Sequence, residues 1–404
     1  MFTFARLLRE GFAQVPDPRI ERTKLHPLPD ILMIALCTFL CGGDSYEHMP
    51  EWALLQGEPW LRNNLGLQLP NGIPHHDTFR RVLVRLQPQA VEACLLTLMR
   101  HCPSKLVNLD GKELCHSFDA QAGTEPLTLL NAWANDLHLV LAQEPVPRGG
   151  NEISAMENLL KKLDLSGATV TADAMHCQKA TVEALRGKGA DYVLCLKQNH
   201  PTFFEAVSSL FAHASTKATE GTGRCGKPVS QYQEADGSDH GRVEVRRCHV
   251  IEARAWLPEG DPLWQWQDLR SLVLVERYRA WGERGTKKES QSHTFYISSL
   301  EPSASKHLEI VRCHWGIENR LHWVLDVVFG EDAHRARRDF GPRNLALLRR
   351  LALSIARHAP APGKSVRLRR KMAGWSGTFL LECLAAWPVP RAQQDSEGGN
   401  DTRR

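Results

Sequence analysis

The strongest constraint on this chain is a change of hydrophobic period near Lys105. Before it, apolar residues recur at helical spacing through ILMIALCTFL and again through AVEACLLTLM, the pattern of helices with one buried face. Pro70, Asn71, Gly72 and Pro74 mark a turn between them. HHDTFRRVLVRL then restarts a helix, with Asp77 as the expected N-cap. From Lys105 the runs KLVNLDG, PLTLLNAWA and LHLVLAQEPV read as strands. Their breaks are too short for crossover helices, so they are expected to pair antiparallel. NEISAMENLLKKL follows as an amphipathic helix, ATVTADAM as a strand, QKATVEALRGKG as a helix closed by Gly187 and Gly189, and DYVLCLK as a strand. The order βββαβαβ predicts an α/β fold: a mixed five-stranded sheet with helices on both faces.

Downstream, residues 204–302 are rich in Gly, Ser, charge and Trp and hold short strand-like runs such as RVEVRRCHVIEA and SLVLVERYRA. They read as a β-rich insertion between two parts of one core, 105–203 and 303–340. The second part is a long helix through EIVRCHWGIENRLHWVLDVVF. Residues 1–104 form a helical N-terminal unit, a pattern that suits docking on DNA and equally suits a helical cap on a larger core. Residues 341–404 are a basic helical segment whose last dozen residues, QQDSEGGNDTRR, are expected to be disordered. A net charge of +4 over 404 residues separates few function classes. Its distribution says more: between Ala333 and Lys371, twelve Lys or Arg stand against one acid, Asp339. Such a block is a solvated tail or a polyanion-binding face. The eleven cysteines include no CxxC pair, which argues for reduced core thiols rather than a disulfide framework or a zinc ribbon. The most apolar run, Ile31–Cys41, is too short to span a bilayer. A soluble cytoplasmic protein is expected.

Three carboxylates stand out. Asp110 ends an apolar strand in LVNLDGK, where Asp-Gly on its own reads as a hairpin turn. Asp173 ends a second apolar strand, VTADAM. A right-handed crossover makes the two strands parallel, so both carboxylates emerge at one edge of the sheet. Unpaired carboxylates held close repel each other, and oxygen donors of this kind suit Mg²⁺ or Mn²⁺. Glu318 is the third. On the late helix His314, Glu318, His322 and Asp326 fall four residues apart and form one polar face. Trp315 and Trp323 flank it, and it carries almost no Lys. A zinc site is the other reading of this His/acid spacing, but no HExxH or Cys/His cluster accompanies it. An Asp, Asp, Glu set can hold two divalent ions for in-line phosphoryl displacement.

At these residues the chain resembles the DDE transposases of bacterial insertion sequences, in the ISAs-type, H-repeat-associated branch. The resemblance runs through DPR at Asp17, GIPHHDTFRRV at Gly72, LDGK at Leu109, NEI at Asn151, VTADAMHCQK at Val170, DYVLCLKQN at Asp191, HGRVEVR at His240, YISSL at Tyr296 and HWGIENRLHWVLDVVFGED at His314. It implies a ribonuclease H-like core, a β-rich insertion before the last acidic helix, and metal-dependent cleavage and strand transfer at inverted-repeat ends. The implied catalytic and metal-binding triad is Asp110, Asp173 and Glu318, with two Mg²⁺ or Mn²⁺ ions. The implied partners are double-stranded DNA, as element ends and target, and a second copy in a synaptic dimer in the bacterial cytoplasm at the nucleoid. The chain departs from the branch at Cys115, where Arg is usual, and at Gly149–Gly150, where Lys-Ser is usual. A nuclease that cuts without joining and a DNA-binding descendant that does not cut remain as alternatives.

Further candidates are Lys112 for the scissile phosphate, and Gln178, Lys179, Lys197 and Asn199 on the same inferred edge. Arg242, Arg246 and Arg247 in the insertion suit a DNA groove. Arg312 and Asn319 lie on the late helix. Trp256, Trp264, Trp266 and Trp281 are aromatic faces for an unstacked base or, more simply, core. Arg349, Arg350, Arg367, Arg369, Arg370 and Lys371 are candidate phosphate contacts.

Overall fold

The computed structural model describes residues 3–99, 103–118, 123, 125–147, 152–215, 229–238, 242–281 and 288–387. In chain order its helices and strands are α1 (Thr3–Ala13), α2 (Leu28–Leu40), α3 (His48–Gln56), α4 (Glu58–Leu65), α5 (His76–Arg85), α6 (Pro88–Met99), β1 (Leu106–Leu114), β2 (Leu127–Ala134), β3 (Leu139–Pro145), α7 (Glu152–Lys162), β4 (Thr169–Ala172), α8 (Lys179–Gly187), β5 (Asp191–Leu196) and α9 (Pro201–Ser215). There follow β6 (Val229–Ser238), β7 (Arg242–Glu252), α10 (Ala253–Trp256), β8 (Ser271–Trp281), β9 (Lys288–Ser298), α11 (Ala304–Ile317), α12 (Trp323–Val327), α13 (Gly341–His358), α14 (Val366–Trp375) and α15 (Gly377–Ala385).

The strands form one sheet in the order β3-β2-β1-β4-β5-β9-β8-β7-β6. β1 pairs antiparallel with β2 and parallel with β4, and β4 pairs parallel with β5. This is the ribonuclease H-like arrangement expected from the element order. The sheet is larger than the five strands read from sequence. The insertion is not a separate β module: β9 pairs antiparallel along β5, from Val193↔Ser298 to Leu196↔Phe295, and β8, β7 and β6 continue the ladder. The reason lies in β5, whose outer edge would otherwise leave unpaired backbone N–H and C=O groups.

The first six helices do not stand apart from the C-terminal ones. α13 packs against α2, α5 and α6 and also against β3. Every residue from Gly341 to Ala356 is buried. A helix buried on all sides is a core element, which corrects the reading of the C-terminal block as a phosphate-binding face. Arg343 donates to Glu92 at 2.7 Å, and Arg350 donates to Glu331 and to Asn131 Oδ1, each at 2.7 Å. Arg349 lies over the Phe39 ring, and Arg370 lies over Phe329 while donating to the Phe39 carbonyl. Arg369 donates to the Ala361 carbonyl and Arg367 to that of Val327; Lys371 alone among the six is exposed without a partner among the described residues. The expected disordered tail lies outside the described residues, as does Gly149–Gly150. At α5 the cap is His75, whose ring accepts from the Asp77 N–H, and Asp77 instead sits in the first turn paired to Arg80. No described helix is long and apolar enough to cross a membrane.

The Arg350–Glu331 pair ties α13 to the segment after α12, and its side chains are only 3% and 1% exposed. Truncating one partner strands a buried charge, so Arg350→Ala should lower unfolding free energy by about 3–5 kcal/mol. Replacing both partners with apolar residues should recover most of that loss. Chemical denaturation of the two variants checks this; equal losses would mean that the charge pairing is not what holds α13.

Candidate active site

The site exists because β1 outlasts β4. The parallel register runs Leu106↔Thr169 to Leu109↔Ala172 and stops there. β1 continues to Leu114 on the strength of its pairing with β2, where Asp110 faces Asn131. Asp110–Gly111 is therefore neither a hairpin turn nor a strand end, as the sequence suggested, but the middle of a strand that has just lost one neighbour. Asp173, the first residue past β4, comes level with Asp110.

Burial pushes the Asp110 carboxyl up to about 7, with the Asp173 and Glu318 charges adding to the rise and His314 and the Gly111 N–H opposing it. Asp173 moves the other way. The hydrogen bond from His314 holds it below its ordinary value, with Lys197 and His176 contributing. His314 Nε2 stands 3.4 Å from Asp173 Oδ1, and its Nδ1 is 2.8 Å from Thr171 Oγ1. The Asn108 amide donates to that same Thr171 oxygen at 2.7 Å. The hydroxyl is then free to donate to Nδ1, which leaves the proton on Nε2 facing Asp173. His314 thus aims Asp173 rather than lining a solvent face.

The late helix is not continuous. α11 ends at Ile317, and Glu318–His322 form a π-turn before α12. The regular four-residue ladder expected from sequence therefore breaks at its centre. Glu318 is left 70% exposed while His322 is only 6% exposed. His322 Nδ1 is 3.0 Å from Glu318 Oε2 and 3.6 Å from Asp110 Oδ2. One donor atom from each of Asp110, Glu318 and His322 lies within 4.8 Å of the others. Burial lowers the His322 pKa, which favours the neutral ring a metal would need. Two carboxylates and one imidazole, with a third carboxylate alongside, fit an oxygen-preferring divalent ion.

Lys112 is held by acids rather than left free for a phosphate. Its side chain is 6% exposed, with Nζ 2.6 Å from Asp326 and 3.4 Å from Asp332. Lys112 and Asp326 are thus partners of one another, and Lys112 is not the free phosphate contact expected of it. Asn199 donates to the Ala174 carbonyl at 2.6 Å and so holds the turn behind Asp173. Gln178 is the N-cap residue of α8, and its side chain donates to the Met175 carbonyl. Lys179 bonds Gln265. Lys197 is exposed and close enough to Asp173 to act on its charge. Asn319 is exposed on the π-turn.

In the sheet extension, Arg246 pairs with Glu234 and Glu244, Arg312 with Glu234, and Arg247 bonds Gln233. The groove role expected of Arg246 gives way to an ion-pair network, which Arg312 joins. Arg242 opens β7. Trp256 and Trp266 are core, Trp264 is partly buried against it, and Trp281 is exposed.

Sequence reasoning passed over Glu152 and His176. A Cβ on Gly111 would meet Glu152 Oε1 at 3.7 Å, and Glu152 Oε2 lies 3.3 Å from His176 Nε2. Burial, with the Asp173 charge, raises the Glu152 pKa; burial pushes His176 down to about 4. The signals were their places in the NEI and VTADAMHCQK strings; by itself, an acid in a helix first turn is ordinary helix chemistry.

Comparison with known proteins gives a consistent picture. Residues 97–355 match the family model described as Transposase DDE domain, and residues 9–99 match one described as DDE_Tnp_1-associated. The chain is 29% identical over 384 residues to the "H repeat-associated putative transposase YhhI" of Escherichia coli K12, covering 94% of this chain and 97% of that one. It is 30% identical over 391 residues to the "Putative transposase YncI" of Escherichia coli O157:H7, covering 94% of each. Among solved structures, the piggyBac transposase synaptic complex with hairpin DNA aligns over 98% of this chain and 84% of that one, at 12% identity and a TM-score of 0.41.

The raised Asp110 carboxyl makes metal-free stability depend on pH. Its pKa is about 7 in the folded protein against an ordinary 3.8, so the native state holds the extra proton between those values. Stability therefore falls as pH rises through that window, and the full cost stands above pH 7. In EDTA, Asp110→Asn should stabilise the protein by about 2 kcal/mol at pH 8 and by almost nothing near pH 4. Thermal melts at the two pH values check it; a pH-independent difference would remove the cost of ionising the buried Asp110 from the account.

Proposed function

The chain belongs to the transposase DDE-domain family, and from that premise we propose that it cuts DNA at the inverted-repeat ends of an insertion sequence and joins the freed ends to target DNA. The observation that carries this reading is the convergence of Asp110, Asp173 and Glu318, from three separate segments, on the edge where β4 stops. Asp110, Glu318 and His322 would hold one divalent ion, and Asp110 with Asp173 a second; Mg²⁺ and Mn²⁺ suit these donors. Bound ions of this kind neutralise charge on the attacking and leaving oxygens of an in-line displacement at phosphorus.

The chain's own residues prepare that chemistry. The Asn108–Thr171–His314 relay fixes the orientation of Asp173. The π-turn brings Glu318 beside His322 and leaves its carboxylate open to solvent, where a DNA strand can approach. Lys112, by neutralising Asp326 and Asp332, keeps two further carboxylates from competing for cations. The partners proposed are the element's ends, a target duplex and a second copy of this chain, in the bacterial cytoplasm at the nucleoid.

Purified protein is incubated with Mg²⁺ or Mn²⁺ and a labelled duplex carrying the repeats that flank its gene. Metal-dependent nicking at the repeat boundary is expected. Glu318→Gln and Asp110→Asn should each slow it by about a thousandfold, some 4 kcal/mol of barrier, without loss of DNA binding. Cleavage that survives either substitution removes that residue from the site. Nicking without joined products would favour a nuclease, and binding without nicking a non-cutting descendant.

A further inference from the structure

Beside the site lies a groove of about 840 Å³, lined by α5, the turn that precedes α3 and the segment between α12 and α13. Six arginines line it: Arg80, Arg81, Arg85, Arg335, Arg337 and Arg338. The acids there are Asp44, Glu47 and Asp339. Four of these charges are already engaged locally. Arg80 pairs with Asp77 at 2.7 Å, Arg338 with Asp339 at 3.6 Å, and Asp44 with His48 at 3.0 Å. Arg81, Arg85 and Arg335 are exposed and form no ion pair among the described residues.

Their placement follows from local structure. Arg81 and Arg85 are four residues apart on α5 and so share a face. Across the groove His334–Arg337 form no regular element, and their burial alternates from one residue to the next. His334 and Ala336 turn inward, His334 edge-on to Tyr46 and Ala336 against the core. Arg335 and Arg337 turn outward. The two walls are fastened together: the Phe340 N–H donates to the Val84 carbonyl at 3.1 Å, and a Cβ on Gly341 would stand 3.2 Å from Tyr46 Oη.

One end of the groove runs toward the proposed active site. The lining segment follows directly on Asp332, which pairs with Lys112, two residues from Asp110. Arg337 reaches the same region, stacking over Phe118 and donating to the His116 carbonyl.

We propose that this groove holds the sugar-phosphate backbone of the DNA duplex as it leaves the active site. Guanidinium groups match phosphate geometry and hydrate weakly, so they suit repeated backbone contacts. Rows of them on both walls of an open trench fit a continuous polyanion better than a single small anion. The contacts carry no base information, so the grip is independent of sequence and steeply dependent on salt. The assignment rests on the proposed DNA-cutting role, which supplies the reason for a polyanion at this edge.

The test measures binding of the full chain to a short duplex of unrelated sequence, without divalent metal, across a salt series. Arg81→Ala/Arg85→Ala/Arg335→Ala is compared with Arg6→Ala/Arg254→Ala/Arg270→Ala, which removes the same charge from exposed positions elsewhere. The groove variant should bind about 10- to 100-fold more weakly at moderate salt and flatten the slope of log K against log salt by about 2–3. Lysine at the three positions should restore most of the slope, and an unchanged melting temperature shows that the variant is folded. Equal effects of the two triple variants overturn the groove, as does wild-type protein that binds no duplex. The two readings fail separately. Metal-dependent cleavage at the repeats with no groove effect removes the groove alone; a groove effect in a protein that never cuts removes the cleavage chemistry and leaves the groove.

Discussion

The parallel pairing of β1 with β4 is the constraint on which the rest depends. It lasts four residues and then ends, because β4 turns away after Ala172 while β1 is held on by β2. A central strand that stops short opens a notch in an otherwise buried sheet. The backbone at that notch can carry polar side chains without burying them unpaired, which is where an α/β fold ordinarily places its chemistry. Asp110 and Asp173 stand level across it. Burial, with the Asp173 charge adding to it, pushes the Asp110 carboxyl up to about 7, a cost that a bound cation would reverse. The His314 relay is the complement of that shift, since it stabilises the charge on Asp173 while the charge on Asp110 is disfavoured.

The π-turn is the second device. A regular α-helix would set residues 318 and 322 one above the other and carry the same register into Asp326. The wider turn adds a residue per cycle, and such turns cluster at functional sites. Here it lets His322 sink against Asp110 while Glu318 stays in solvent. It also turns Asp326 toward Lys112, so that this pair belongs to the support of the site and not to its open face.

The order of the core elements and the levelness of Asp110 and Asp173 were legible in sequence because both follow from local period and crossover handedness. What was not legible depends on partner choice. Strand-like runs in the insertion do not say that their ladder will close onto β5; that is decided by an edge needing partners some hundred residues earlier in the chain. The π-turn was hidden because spacing arguments assume a constant 3.6-residue period. Lys112 looked like a phosphate ligand because a lysine beside a catalytic aspartate reads the same whether it is free or neutralised by acids 214 and 220 residues away. Glu152 was missed for the converse reason, since its helix position has an ordinary explanation and its approach to Gly111 is purely tertiary.

The arginines show how one composition divides into opposite roles. The basic block between Ala333 and Lys371 reads as a single polyanion-binding stretch, yet it separates at Gly341. Past that point Arg343, Arg349, Arg350 and Arg370 are inside, bonded to Glu92, Glu331 and backbone carbonyls, with Arg349 stacked on Phe39 and Arg370 on Phe329. A guanidinium desolvated in this way has no counterions to release and adds nothing to a salt-dependent grip on DNA. Its work is to lock the C-terminal helices onto the N-terminal ones. Before Gly341, Arg335 keeps its charge in water, facing Arg81 and Arg85 across the trench. The buried set therefore makes the exposed set possible. Only because α13 is pinned against α2 and α5 do arginines from opposite ends of the chain share one groove, and Asp332, paired with Lys112, links that groove toward the carboxylates.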